Sequence, residues 1–203
     1  MTRIPRAFDP TWESPDLKPR GERGERGASL VELAVVLPFM LLLLMATIDF
    51  GHLIQTRLII TNVSREGGSI GSRADSVTTD ITTMITASGA PLALSGTDGK
   101  VYVTRIKAGT GAGAPKPTIF KQITVGGLAK PSQIAAGSAT LGLTQKIYDH
   151  LTFNTAHGTA DIAQVTVVEV IYRYRPITPL AGFIPGMLDA DGGGFVVSSK
   201  AVF

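Results

Sequence analysis

Residues 28 to 48 read ASLVELAVVLPFMLLLLMATI, a run with one charged side chain, Glu32, and long enough to cross a bilayer at about 1.5 Å per residue. A secretory signal peptide is the rival reading, since it also joins a basic flank to an apolar stretch. Against it, the run is too long for a signal core, lies behind a long polar leader, and is closed by no small-x-small cleavage site. A transmembrane helix is the better reading. The basic residues Lys18, Arg20, Arg23 and Arg26 precede the run, while Arg57 and Arg65 follow it, so the N-terminus is expected in the cytoplasm and the bulk of the chain beyond the membrane.

Upstream, residues 1 to 27 form a polar leader with Pro5, Pro10, Pro15 and Pro19 and the run RGERGERG ending at Gly27. It holds nothing that builds a core and reads as a solvated flank. Downstream, Asp49-Phe50-Gly51-His52 ends the apolar run, and Leu53, Ile54, Leu58, Ile59 and Val63 keep helical character beyond it. Gly67-Gly68 is the first stop signal, which predicts one helix from about Ser29 to Glu66, roughly 55 Å long. Pro38 lies inside it and is expected to kink it or free a backbone carbonyl, as membrane helices tolerate. The expected organisation is a cleaved cytoplasmic leader over 1–27, a hydrophobic helix over 28–66 with its span about 28–48, and an extracytoplasmic domain over 67–203.

The junction of leader and helix carries the functional argument. A peptidase working at the membrane surface needs a small, flexible residue at its cut, and Gly27 stands where the polar leader meets the apolar run. Five residues after Gly21 and Gly24 stand Arg26 and Ser29, whereas five after Gly27 stands the carboxylate Glu32, so one register makes sense: cleavage between Gly27 and Ala28. An ionisable residue inside a span is costly and marks function by default. Cleavage gives Ala28 a cationic amine that Glu32 of the same helix is poorly placed to reach, but that Glu32 of an adjacent subunit can neutralise. The plain alternative is a Glu32 that reaches water from near the interface. Glycine at this offset favours the first.

In the remaining chain, Val77, Ile81, Met84 and Ile85 recur at helical spacing, and a second helix from about Ala139 to Phe153 puts Leu143, Ile147 and Leu151 on one stripe. KVYVTRIK (100–107) alternates as a strand should, and 119–125 and 195–202 are further strands. QVTVVEVIYRY (164–174) is apolar on both faces in its first half, as a central strand is. The Gly- and Pro-rich stretch 108–117 reads as a loop. These elements predict an α+β fold with a mostly antiparallel sheet.

Composition narrows function further. The chain of 203 residues is long enough for one ordinary domain with appendages, its net charge of +3 is spread without a basic patch, and it has no cysteine. Nucleic-acid binding, disulfides and thiolate chemistry are therefore not expected. His52, His150 and His157 lack zinc spacing, and Asp189-Ala190-Asp191-Gly192 lacks the further ligands of a calcium loop, so no metal or other cofactor is expected. Asp149-His150 comes without a Gly-x-Ser-x-Gly elbow, and no enzymatic activity is expected. Asp49 and His52 read as an interfacial polar pair closing the span. Tyr172 and Tyr174 read as sheet packing.

The segment RGASLVELAVVLPFMLLLLMATIDFGHLIQTRLIITNVSREGGSIGSR resembles the N-terminal region of TadE-like pseudopilins of the Tad (tight adherence, Flp pilus) system. The likeness lies in Gly before Ala-Ser-Leu-Val-Glu, the Leu-Pro that follows, and Asp-Phe-Gly near the end of the run. It covers about the first third of the chain, with a weaker echo in VIYRY (170–174), PITPL (176–180) and SSKA (198–201). Leu33 stands where many pilins carry an aromatic residue. The resemblance implies a pilin-like fold, a long N-terminal helix carrying a small α+β head. It also implies a minor pilin or pseudopilin that starts, caps or joins the pilus, cut by a membrane prepilin peptidase between Gly27 and Ala28, with Glu32 as the recognition and assembly carboxylate. Its implied partners are that peptidase, other pilins or pseudopilins, and the Tad assembly platform in the cytoplasmic membrane. An uncleaved single-span envelope scaffold or sensor is the alternative.

Overall fold

The structure, a computed structural model, describes residues 22–73, 79–179 and 194–203. The leader as far as residue 21, Val77 and the Asp189-Ala190-Asp191-Gly192 turn lie outside the described residues. The chain divides into two compact units, 1–44 and 45–203. Helix α1 (Glu22–Arg73) has 52 residues and contains Pro38. In the first unit its apolar side chains lie open, Leu30, Phe39 and Leu43 each being about two-thirds exposed.

Within the second unit the fold is α+β. It comprises the end of α1, then α2 (Thr79–Ser88), β1 (Gly99–Lys107), β2 (Thr118–Val125), α3 (Gln145–Leu151), β3 (Gln164–Tyr174) and β4 (Phe195–Val202). The four strands form one antiparallel sheet in the order β2-β1-β3-β4. Residues paired across the ladder share a face, so Val101 opposite Val170 and Val103 opposite Val168 set one side of the sheet. That side packs on Ile60 and Val63 of α1, Ile81 and Ile85 of α2, and Leu94. Ile106, Val165 and Val167 point the other way and meet Ile134, Leu141, Leu143 and Leu151, while Tyr102 and Ile171 meet Leu128. Both central strands are thus covered on both faces, which is why the valine run of β3 does not alternate. On edge strand β2 the register slips between Arg105 and Ile106, and the extra residue Phe120 turns outward beneath Lys107, whose Nζ lies 3.6 Å from the ring centroid.

Helices α1 and α3 depart from expectation at their ends, α1 already beginning at Glu22 rather than near Ser29. Helix α1 does not stop at Glu66 but continues through Gly67-Gly68 to Arg73. Here the glycines admit neighbours rather than end a helix: a Cβ at Gly67 would come within 3.0 Å of Ile85, one at Gly71 within 3.0 Å of Thr166, and one at Gly68 would run into the Phe203 ring. The expected helix over 139–153 begins only at Gln145, because Leu141 and Gly142 have φ of 54° and 77° and cannot continue a right-handed helix. Of the expected stripe, Ile147 and Leu151 lie on α3 and pack into the core, while Leu143 is buried there from the turn before the helix.

Candidate functional site

The residues singled out at the N-terminus all lie on α1 and are exposed: Gly27, Ala28, Glu32 and Pro38. Among the described residues, no atom beyond the local helix lies within 4 Å of where a side chain at Gly27 would start. The Gly27–Ala28 peptide is helical, since α1 begins at Glu22 rather than at Ser29. Between Gly27 and Leu44 every side chain is open, on all sides of the helix. A helix apolar all round belongs in lipid or in a bundle of like helices, and Glu32 is its one ionisable group.

Where α1 leaves this apolar stretch, Asp49 grips a distant piece of chain. Its carboxylate accepts the backbone N–H groups of Ile177 at 2.9 Å and Thr178 at 3.1 Å, and the Thr178 hydroxyl as well. The Tyr174 hydroxyl donates to the Asp49 carbonyl at 3.0 Å. Burial pushes the Tyr174 phenol above its ordinary pKa, and the nearby Asp49 carboxylate pushes it the same way. Asp49 is thus more than the polar neighbour of His52 expected from their spacing. The sequence did hold both halves of this contact, Asp-Phe-Gly at 49–51 and PITPL at 176–180, but nothing in it joined them.

Farther along, α1 buries Thr56, Ile60, Val63, Ser64, Gly67, Gly68 and Gly71, the spacing of one helical face. Ser64 Oγ meets Ser199 Oγ of β4 at 2.8 Å. At the helix end, Arg105 of β1, only 2% exposed, donates from its guanidinium to the Gly71 carbonyl at 2.8 Å. Gly71 is among the last four helical residues, whose carbonyls lack intrahelical partners, so a cation here meets the negative end of the helix dipole.

The opposite face of the sheet holds a buried carboxylate, Glu169, which accepts the Ser132 hydroxyl and the Gln133 N–H at 3.1 Å. Beside it the Tyr102 hydroxyl donates to the Lys130 carbonyl at 2.6 Å. Burial raises the Tyr102 pKa, and the Glu169 charge raises it further. These contacts tie the loop after β2 to the sheet. His150 pairs through Nδ1 with Asp161 at 2.8 Å, while its sequence neighbour Asp149 accepts from Gln145 at 2.7 Å. Among the described residues no three His, Cys, Asp or Glu side chains cluster as a metal site would need. A shallow groove of about 300 Å³ is lined by Lys107, Gly109, Thr110, Phe153 and Thr159, with no His, Asp, Glu or Cys among its lining residues.

Residues 27–69 match the model of the TadE-like protein family. The match starts at Gly27 and takes in Glu32, Pro38, Asp49 and the Gly67-Gly68 pair. No curated protein and no solved structure matches the chain.

Proposed function

We propose that this chain, a TadE-like protein by its N-terminal segment and with one helix suited to a single membrane crossing, is a minor pilin or pseudopilin of a Tad pilus. It works by assembly rather than catalysis. The observation that carries the reading is the open apolar helix directly behind Gly27, with Glu32 as its one charge. Such a surface needs lipid before assembly and neighbouring helices afterwards.

On this reading the leader stays cytoplasmic, a prepilin peptidase cuts between Gly27 and Ala28, and the head lies outside the cytoplasmic membrane. The freed Ala28 amine and the Glu32 carboxylate of adjacent subunits then neutralise one another within the packed helices. Because the bond to be cut is helical, the first turns of α1 must unwind in the peptidase, and glycine eases this by about 1 kcal/mol relative to alanine. The same helical continuity from Glu22 favours the second reading, an uncleaved single-span scaffold whose helix runs unbroken through this point.

N-terminal sequencing of the protein from envelopes with and without the peptidase separates the two. A mature terminus at Ala28 that depends on the peptidase is expected, and an intact Met1 in peptidase-competent cells leaves the scaffold as the account. Glu32→Ala is expected to remove the subunit from assembled pili. A mature terminus in that variant places the carboxylate's role after cutting, and a retained leader places it in cutting.

A further inference from the structure

We infer that the turn held by Asp49 is a second membrane contact, resting the base of the head on the outer headgroup layer of the bilayer. The inference rests on the single-span reading of residues 28–48, and not on cleavage at Gly27. By the length and polarity of that run, the span ends at Ile48, so Asp49 lies at the outer edge of the hydrocarbon. Whatever Asp49 binds is held at the same height.

What it binds are the backbone N–H groups of Ile177 and Thr178 and the Thr178 hydroxyl. This leaves the Ile177 side chain 65% exposed, and Phe50, next to Asp49 on the helix, 63% exposed. Two large apolar side chains thus stand open at the level of Asp49, and an aromatic at this level suits the interface. Nearby, Arg175 pairs with Asp98 at 2.7 Å and stays open to solvent, a polar neighbour suited to the headgroups. Elsewhere on the head, exposed apolar residues such as Phe120 and Met84 have no such tie to the span's edge.

The chain has no cysteine, so single cysteines can carry a fluorophore. Ile177→Cys, Phe50→Cys, Leu41→Cys and Phe120→Cys would be labelled in the full chain, in phosphatidylethanolamine–phosphatidylglycerol vesicles holding lipids with a nitroxide quencher near the headgroup or deep in the acyl chain. Labels at 177 and 50 are expected to be quenched by the shallow nitroxide, the label at 41 by the deep one, and the label at 120 by neither. Asp49→Ala is expected to abolish quenching at 177 but not at 50, whereas Asp49→Asn, which keeps an oxygen for the two N–H groups, retains it. Quenching at 41 with none at 177 overturns the inference alone. Absence of quenching at 41 overturns the span reading and the inference with it. A label at 177 shielded from water but unquenched by lipid gives the face to a protein neighbour and also overturns it. Quenching at 177 that persists in Asp49→Ala overturns the role of the aspartate.

Discussion

Asp49 concentrates in one side chain a contact between residues 128 positions apart. A carboxylate accepting two backbone N–H groups and a hydroxyl makes charge-assisted bonds, stronger than neutral ones. The site is half open to water, so Asp49→Ala is expected to lower the head's stability by about 1.5–2 kcal/mol, the lower part of the range for bonds to charged groups, and Asp49→Asn by less. Chemical denaturation of the purified chain in detergent measures both. The proposal for Gly27, Ala28 and Glu32 was drawn from spacing alone, because the pattern that singles them out is local in sequence. Asp49 was visible as a polar residue at the end of an apolar run, and its partners were not, since no periodicity links a helix to a turn that follows the third strand.

Helix α1 is where local and tertiary preferences disagree. A glycine pair in a helix costs about 1 kcal/mol per residue relative to alanine, and read locally it ends the helix. The helix persists because the missing side chains let α2, Thr166 and Phe203 approach, and because Arg105 supplies a cation to the last turn. Arg105→Met keeps much of the buried volume but leaves the Gly71 carbonyl without that donor. It is expected to destabilise the head by about 2–4 kcal/mol and to speed hydrogen exchange at residues 69–73 ahead of those near Ile60. Equal acceleration along the helix would contradict the capping role. The strands show the opposite case. β3 and β4 run over the residues their patterns predict, because valine-rich or alternating runs bounded by turn residues are local signals.

Across the whole head, three tyrosines share one electrostatic bias. Burial raises the pKa of Tyr102, Tyr172 and Tyr174, and Glu169, Asp98 and Asp49 respectively add to it, with Arg175 opposing at Tyr172. A phenol whose pKa is higher in the folded than in the unfolded state stabilises the fold fully below the unfolded value near 10, and that contribution is lost as pH rises through the folded value. Stability of the head is therefore expected to fall above about pH 10, with cooperative release of tyrosinate seen by ultraviolet titration. Phenols that ionise at their ordinary pKa without loss of stability would contradict this. The sequence by itself determined the apolar helix, the class of the head and its central strand, since each is written in the spacing of residues close along the chain. The tertiary structure alone decided that α1 runs to Arg73, that α3 begins at Gln145, and that Asp49 holds the turn at Ile177 and Thr178. In each of these, a partner far along the chain or a backbone angle fixed by packing outweighed a local preference of about 1 kcal/mol.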